Sequence, residues 1–245
     1  NMLMQGSPGT GKTMLAKSIP SIMADWTLEE RLETTRIYSL FGKDKKTDLI
    51  CHRPFSSPHQ PVSDAGLIGG GTYPRPGEVS LAHHGVLFLD ELPEFRRHVL
   101  EVLRQPLEDG AVTISRAQSR LTYPSRFMLV AAMNPCPCGY LGDFPNRCRC
   151  SEQQIRTYTS KISGPLLDRI DMHLAVARID FDKICQKTDT ETSAQVRKRV
   201  NIAQSAQATR FRSHGTLFAN AHMGVREIEN YCRINLDSIR LLQRS

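Results

Sequence analysis

Gly6-Ser7-Pro8-Gly9-Thr10-Gly11-Lys12-Thr13 satisfies the pattern G-x-x-x-x-G-K-[ST] at every fixed position. Glycines at those places let the backbone aim successive N–H groups at phosphate oxygens. The helix expected next adds the positive end of its dipole. Lys12 is placed to reach the β- and γ-phosphates of ATP, and the Thr13 hydroxyl to ligate Mg²⁺. An eight-residue pattern can recur by chance, so its context decides. Met2–Gln5 reads as a short buried strand, and Lys12 through about Ala24 has helical spacing with Met14, Leu15, Ile19 and Ile22 on one side. Strand, glycine turn and helix occur in the required order.

Downstream, Val86-Leu87-Phe88-Leu89-Asp90-Glu91 is an apolar run ending in two acids. A buried parallel strand delivers such acids into the crevice where open α/β sheets bind ligands. Asp90 is expected to hold Mg²⁺, and Glu91 to act as the general base on the attacking water. Alone, the pair would be a surface Asp-Glu after a core strand; the phosphate loop gives it a role. Asn134, at the end of the apolar strand Phe127–Met133, can bond the lytic water or the γ-phosphate, although Asn before Pro135 is also a strand terminator. Arg169, in Gly164-Pro165-Leu166-Leu167-Asp168-Arg169-Ile170-Asp171, has two readings. It either neutralises phosphate charge or forms an intrachain ion pair with Asp168 or Asp171.

Helical spacing also covers Leu28–Leu40 after the N-cap Thr27, and Arg96–Gln105. Ala111–Ser115 and Leu121–Tyr123 flank a polar turn and predict a β-hairpin, and Met172–Val176 predicts a further strand. Arg53–Gly85 dissolves into Pro, Gly, Ser and His, an irregular stretch long enough to suggest function. Strands alternating with helices predict a three-layer α/β/α P-loop NTPase core with a parallel sheet over residues 1–180. From residue 190 to 245 only helices are expected, over Ser193–Thr209, Val225–Arg233 and Leu236–Arg244, forming a partial all-α lid.

Forty per cent apolar and 23% charged residues suit a soluble globular chain of 245 residues. No run of eighteen apolar residues exists to span a membrane, and no signal peptide is visible. Seven cysteines, an odd number, fit a reducing compartment, so a cytoplasmic location is expected. The net charge of +7 admits a polyanionic partner without demanding one. Only Asn1–Gln5 precede the phosphate loop, so the chain reads as an excerpt from a longer polypeptide.

Taken together, these residues resemble the AAA+ superfamily and, more narrowly, the magnesium-chelatase-like YifB/ComM family. The resemblance is carried by Arg53-Pro54-Phe55, Pro58-His59, Gly69-Gly70-Gly71, Pro74-Arg75-Pro76-Gly77-Glu78 and Leu81-Ala82-His83. It continues through Gly85–Phe95, Asn134-Pro135-Cys136-Pro137-Cys138-Gly139 and Ser163–Asp171, and so covers nearly the whole chain. It implies that Asn134 is the sensor-1 residue. It also implies that Arg169 is an arginine finger acting in trans within a homo-oligomeric ring, a hexamer. By the same resemblance, Arg53–Gly85 and the hairpin Val112–Tyr123 are insertions of this clade that face the pore, with Arg116, Gln118 and Arg120 near the hairpin tip. The family's sensor-2 arginine is expected beyond Ser245, since none of Arg233, Arg240 and Arg244 stands in the matching motif. Its N-terminal domain is expected ahead of Asn1.

Cys136-x-Cys138 and Cys148-x-Cys150 flank a nine-residue spacer. Four thiolates at this spacing can enclose a tetrahedral structural Zn²⁺; free thiols on a basic loop and adventitious disulfides are the rival readings. Cys51, Cys185 and Cys232 read as ordinary packing or surface residues. His59, His83 and His84 lack a helical metal-ligand spacing and are expected to pack or hydrogen-bond. Three kinds of work remain open. The resemblance implies a motor driving branch migration of incoming DNA, with Arg116 and Arg120 as DNA contacts. The alternatives are the ATPase subunit of a metal-insertion complex and a nucleotide-controlled protein-remodelling module.

Overall fold

A computed structural model of the chain describes residues 1–41, 49–71, 74–116, 119–143, 147–178, 190–212, 217 and 219–244. Gln118, Cys185 and most of the expected boundary between the two regions lie outside the described residues.

Five parallel strands form the central sheet. They are β1 (Met2–Gln5), β2 (Phe55–Ser56), β5 (Val86–Leu89), β8 (Met128–Met133) and β9 (Met172–Ala175), in the order β2-β5-β8-β1-β9. The apolar runs chose the middle positions. Every residue of β5 is buried, as are Leu129–Met133 of β8, because strands covered on both faces have no side for polar residues. Edge strand β9 leaves all four side chains exposed. β1 continues through the glycine turn into α1 (Lys12–Ile22), and α2 (Leu28–Phe41) follows.

The irregular segment supplies β2, the edge strand beside β5, together with α3 (Asp64–Ile68), the two-residue strands β3 (Gly69–Gly70) and β4 (Arg75–Pro76), and α4 (Glu78–Leu81). A single helix over Arg96–Gln105 does not form. The chain instead makes α5 (Arg97–Glu101) and α6 (Arg104–Asp109). Pro106 explains the break: it has no N–H to donate to the Val102 carbonyl, and its ring occupies the place that bond would need. The hairpin is β6 (Ala111–Arg116) against β7 (Ser119–Pro124), with Val112, Ile114 and Tyr123 buried in the core cluster around Leu87, Leu89 and Leu129. α7 (Glu152–Thr159) and α8 (Gly164–Leu167) lead to β9.

The chain divides into two compact units, Asn1–Ser21 with Trp26–Thr190, and Ile22–Asp25 with Glu191–Ser245. The second is helical: α9 (Ser193–Arg210), α10 (Val225–Tyr231) and α11 (Leu236–Leu242). Thr192 and Gln195 close a reciprocal capping box at the start of α9. Within this unit Asn201 bonds both the amide and the carboxylate of Asp25, at 3.0 and 2.9 Å.

Candidate nucleotide site

The ends of β1, β8 and β5, three adjacent strands running the same way, carry the phosphate loop, Asn134 and the Asp90-Glu91 pair respectively. Gly9 and Gly11 hold the loop open at φ of +78° and +85°, angles that L side chains resist. The Lys12 ammonium curls into the loop, donating to the carbonyls of Gly6 at 2.6 Å and Ser7 at 3.0 Å, and to Oδ1 of Asn134 at 3.2 Å. Burial pushes its pKa below the ordinary lysine value, against the opposing pull of the Asp90 and Glu91 carboxylates. Next to it, the Thr13 hydroxyl donates to Oδ2 of Asp90 at 2.7 Å. Oδ1 of Asp90 accepts the Glu91 amide at 3.0 Å, which fixes the carboxylate's orientation. Ser7, Pro8 and Thr10 complete the turn, the Thr10 hydroxyl bonding the Ser7 carbonyl at 3.0 Å.

Glu91 adopts φ +53°, ψ +51°, a left-handed conformation that is uncommon for a residue with a side chain. Such angles cluster where function demands a particular aim. Its Oε2 accepts from Nε2 of Gln60, which belongs to the irregular segment. Nothing in the sequence pointed to Gln60; the only signal was that an unstructured stretch of that length rarely lacks a job.

Arg169 lies elsewhere. It precedes β9, the strand beside β1, at the N-terminal ends of the strands and so away from the phosphate loop by the length of β9, four residues or roughly 13 Å. Its guanidinium pairs with Glu108 of α6 at 2.5 Å, not with Asp168 or Asp171. Arg120 stands exposed on the hairpin opposite Ser115, and Arg116 pairs in register with Ser119.

The cysteines converge. One sulfur from each of Cys136, Cys138, Cys148 and Cys150 lies within 4.8 Å of the others, while Cys51 and Cys232 are exposed and apart from them. Backbone N–H groups of Tyr140 and Arg149 bring the Cys138 thiol down to about 6.

A second cluster joins Glu33, His83 and His84, which the spacing of the histidines alone did not reveal. His83 is fully buried, and burial drives its pKa down to about 4. Its Nδ1 accepts the Arg126 amide at 3.0 Å, so the proton of the neutral ring sits on Nε2, which donates to Glu33 at 3.2 Å. A ring whose Nε2 carries that proton has no lone pair there for a metal. The cluster is a hydrogen-bonded brace between α2 and the start of β5, in line with the expected packing role.

The description "Magnesium chelatase, subunit ChlI" matches residues 1–184, and its C-terminal counterpart matches residues 190–245. The chain belongs to the magnesium-chelatase-like family. It is 43% identical to YifB of Salmonella typhimurium over 99% of its length, covering 47% of that protein. It is 45% identical to the competence protein ComM of Haemophilus influenzae over 96% of its length, covering 45% of that protein. The magnesium-chelatase subunit ChlI of Bigelowiella natans is 23% identical over 84% of this chain and 55% of its own length. The chain thus spans less than half the length of the YifB and ComM relatives. Among the described residues, no helix is long and apolar enough to cross a membrane.

Proposed function

We propose that this chain is the Mg·ATP-hydrolysing module of a cytoplasmic, ring-forming AAA+ motor that acts on DNA. Residues 1–180 serve as its nucleotide-binding core, and residues 190–245 belong to its lid. The Thr13–Asp90 hydrogen bond carries the reading, since it unites two segments 77 positions apart into one pocket.

Phosphates are held by the backbone N–H groups of Gly6–Thr13, and Lys12 exchanges the Gly6 and Ser7 carbonyls for phosphate oxygens. Thr13 and Asp90 offer the hard oxygen donors that Mg²⁺ prefers; bound there, the ion neutralises charge on the β- and γ-phosphates. Glu91 accepts the water proton as the water oxygen bonds the γ-phosphorus and the bond to the ADP oxygen breaks. Asn134 orients the water or the γ-phosphate. Arg169, too far along β9 for the chain's own phosphate loop, acts in trans on a neighbouring copy's nucleotide within a hexameric ring, leaving Glu108 to do so.

The DNA role is supported by the net charge of +7, by exposed Arg120 and by the relative named a competence protein. Its test is the ATPase rate of the full-length parent protein with and without branched DNA. The expected result is stimulation that declines with salt and is lost in Arg116→Ala/Arg120→Ala. A rate indifferent to DNA removes the DNA role, and no ATPase under any condition removes the enzyme. The match to the magnesium-chelatase subunit ChlI family supports a second reading, the ATPase subunit of a metal-insertion complex. Stimulation by a porphyrin-carrying partner in place of DNA would establish it. Response to neither would favour a protein-remodelling module.

A further inference from the structure

Immediately after Asn134 the chain leaves the sheet and makes a tight knuckle, Cys136-Pro137-Cys138-Gly139. The Gly139 amide donates back to the Cys136 carbonyl at 3.0 Å, with Gly139 at φ +86°. The second cysteine pair, Cys148 and Cys150, ends where Ser151 caps α7. Sulfur separations are 3.3 Å for Cys136–Cys138 and 3.7 Å for both Cys136–Cys148 and Cys138–Cys148. A disulfide requires about 2.05 Å, so these are thiols. Four sulfurs at about 2.3 Å from one Zn²⁺ in a tetrahedron stand roughly 3.8 Å apart, close to the spacing found. An iron–sulfur cluster would hold its cysteines much farther apart, since several irons lie between them.

The surroundings match the same ion. Backbone N–H groups of Tyr140 and Arg149 donate to Cys138, and that of Cys138 donates to Cys150, hydrogen bonds that orient the sulfurs. Four thiolates around Zn²⁺ leave two negative charges, and the cysteine loop also carries the exposed cations Arg147 and Arg149.

This loop abuts the nucleotide site. A Cβ on Gly139 would lie 2.8 Å from Cγ and Cδ of Pro8, so the knuckle backbone rests directly on the phosphate loop. At the far end, the buried Tyr158 hydroxyl of α7 bonds the Asn134 main chain. Asn134 is therefore held from two sides, by the knuckle that follows it and by Tyr158 of α7, and the four sulfurs bring Cys136 and Cys138 against Cys148 and Cys150.

We propose that Cys136, Cys138, Cys148 and Cys150 bind one Zn²⁺, and that this metal clip holds Asn134 and Pro8 in register for nucleotide. Binding releases the thiol protons to solvent, with no change in oxidation state. The coupling half rests on the nucleotide reading given above; the metal half stands without it.

The test uses the full chain purified in reductant without chelator. Elemental analysis should find about one zinc per chain, and Co²⁺ replacing it should give the visible absorption of a tetrahedral tetrathiolate. Cys136→Ser and Cys148→Ser should lose the metal, while Cys51→Ser keeps it. Less than about a tenth of a zinc per chain, with no Co²⁺ spectrum and four freely titrating thiols, overturns the site whether or not the variants fold. Stripping zinc from the wild-type chain with a thiol-directed mercurial and chelator, followed by thiol reduction, should weaken ATP affinity by roughly tenfold, and restored Zn²⁺ should recover it. Unchanged ATP affinity in the stripped protein overturns the coupling. A zinc-loaded chain that binds no ATP refutes the nucleotide reading and upholds the metal site.

Discussion

The Thr13 hydroxyl and the Asp90 carboxylate meet at 2.7 Å, joining the first turn of α1 to the end of β5. Had the two segments emerged on opposite edges of the sheet, no shared ligand would be possible. Because all five strands run parallel, their C-terminal ends lie along one edge, and β5, β8 and β1 are neighbours there.

Asp90→Asn should therefore keep the fold and reduce the Mg²⁺-dependent part of ATP affinity. Calorimetric titration with and without Mg²⁺ reads this directly, with an expected loss of about 1–3 kcal/mol. An unchanged Mg²⁺ dependence would contradict the assignment. Lys12→Ala should abolish tight binding altogether.

Glu91→Gln should preserve ATP binding and slow turnover in the full-length protein by roughly 10²–10⁴. Gln60→Ala removes only the group that steadies Glu91, so kcat should fall less, with little change in KM. Equal losses in the two variants would mean that Gln60 contacts the substrate itself.

If Arg169 serves a neighbour, mixing matters. Full-length Arg169→Ala and Lys12→Ala proteins should each be inactive alone yet regain part of the ATPase when combined, since a mixed ring pairs an intact phosphate loop with an intact arginine. Absence of any recovery in rings shown to be mixed would assign Arg169 to its bond with Glu108.

His83 predicts an acid-sensitive fold. Its folded pKa near 4 lies below the ordinary histidine value of 6.5, so the unfolded chain binds its proton first. The stabilisation is complete above pH 6.5 and is lost as pH falls from there to 4, by up to roughly 3 kcal/mol. Glu33, held below its usual range chiefly by the His84 hydrogen bond, adds a further loss as pH falls below 4.5. Urea midpoints at pH 7 and 5 should diverge in the wild type and converge in His83→Gln; a parallel slope in the variant would place the effect elsewhere.

The sequence made the central strands and the phosphate loop legible because they obey local rules. A short apolar run such as Val86–Leu89, bounded by Gly85 and by Asp90, fits a buried strand, and the glycine pattern dictates a backbone shape. Strand β2, two residues long, carries no periodicity, and its pairing with β5 depends on a tertiary partner. Pro106 stops the expected helix Arg96–Gln105 from continuing, but its further effect, a break one turn upstream between α5 and α6, is not marked by the helical spacing there. The Gln60–Glu91 contact, the Glu33–His83–His84 brace and the Arg169–Glu108 pair each join distant segments by side-chain geometry, which spacing along one chain does not encode.

Strand order also decides when the pocket can exist during synthesis. β1 is made first, yet its two sheet partners, β8 and β9, lie more than a hundred positions downstream. Contacts of such long range form late and slowly. A ribosome must deliver most of this unit before the glycine turn gains a firm backing, so capture of ATP by a nascent chain would report that its core has closed.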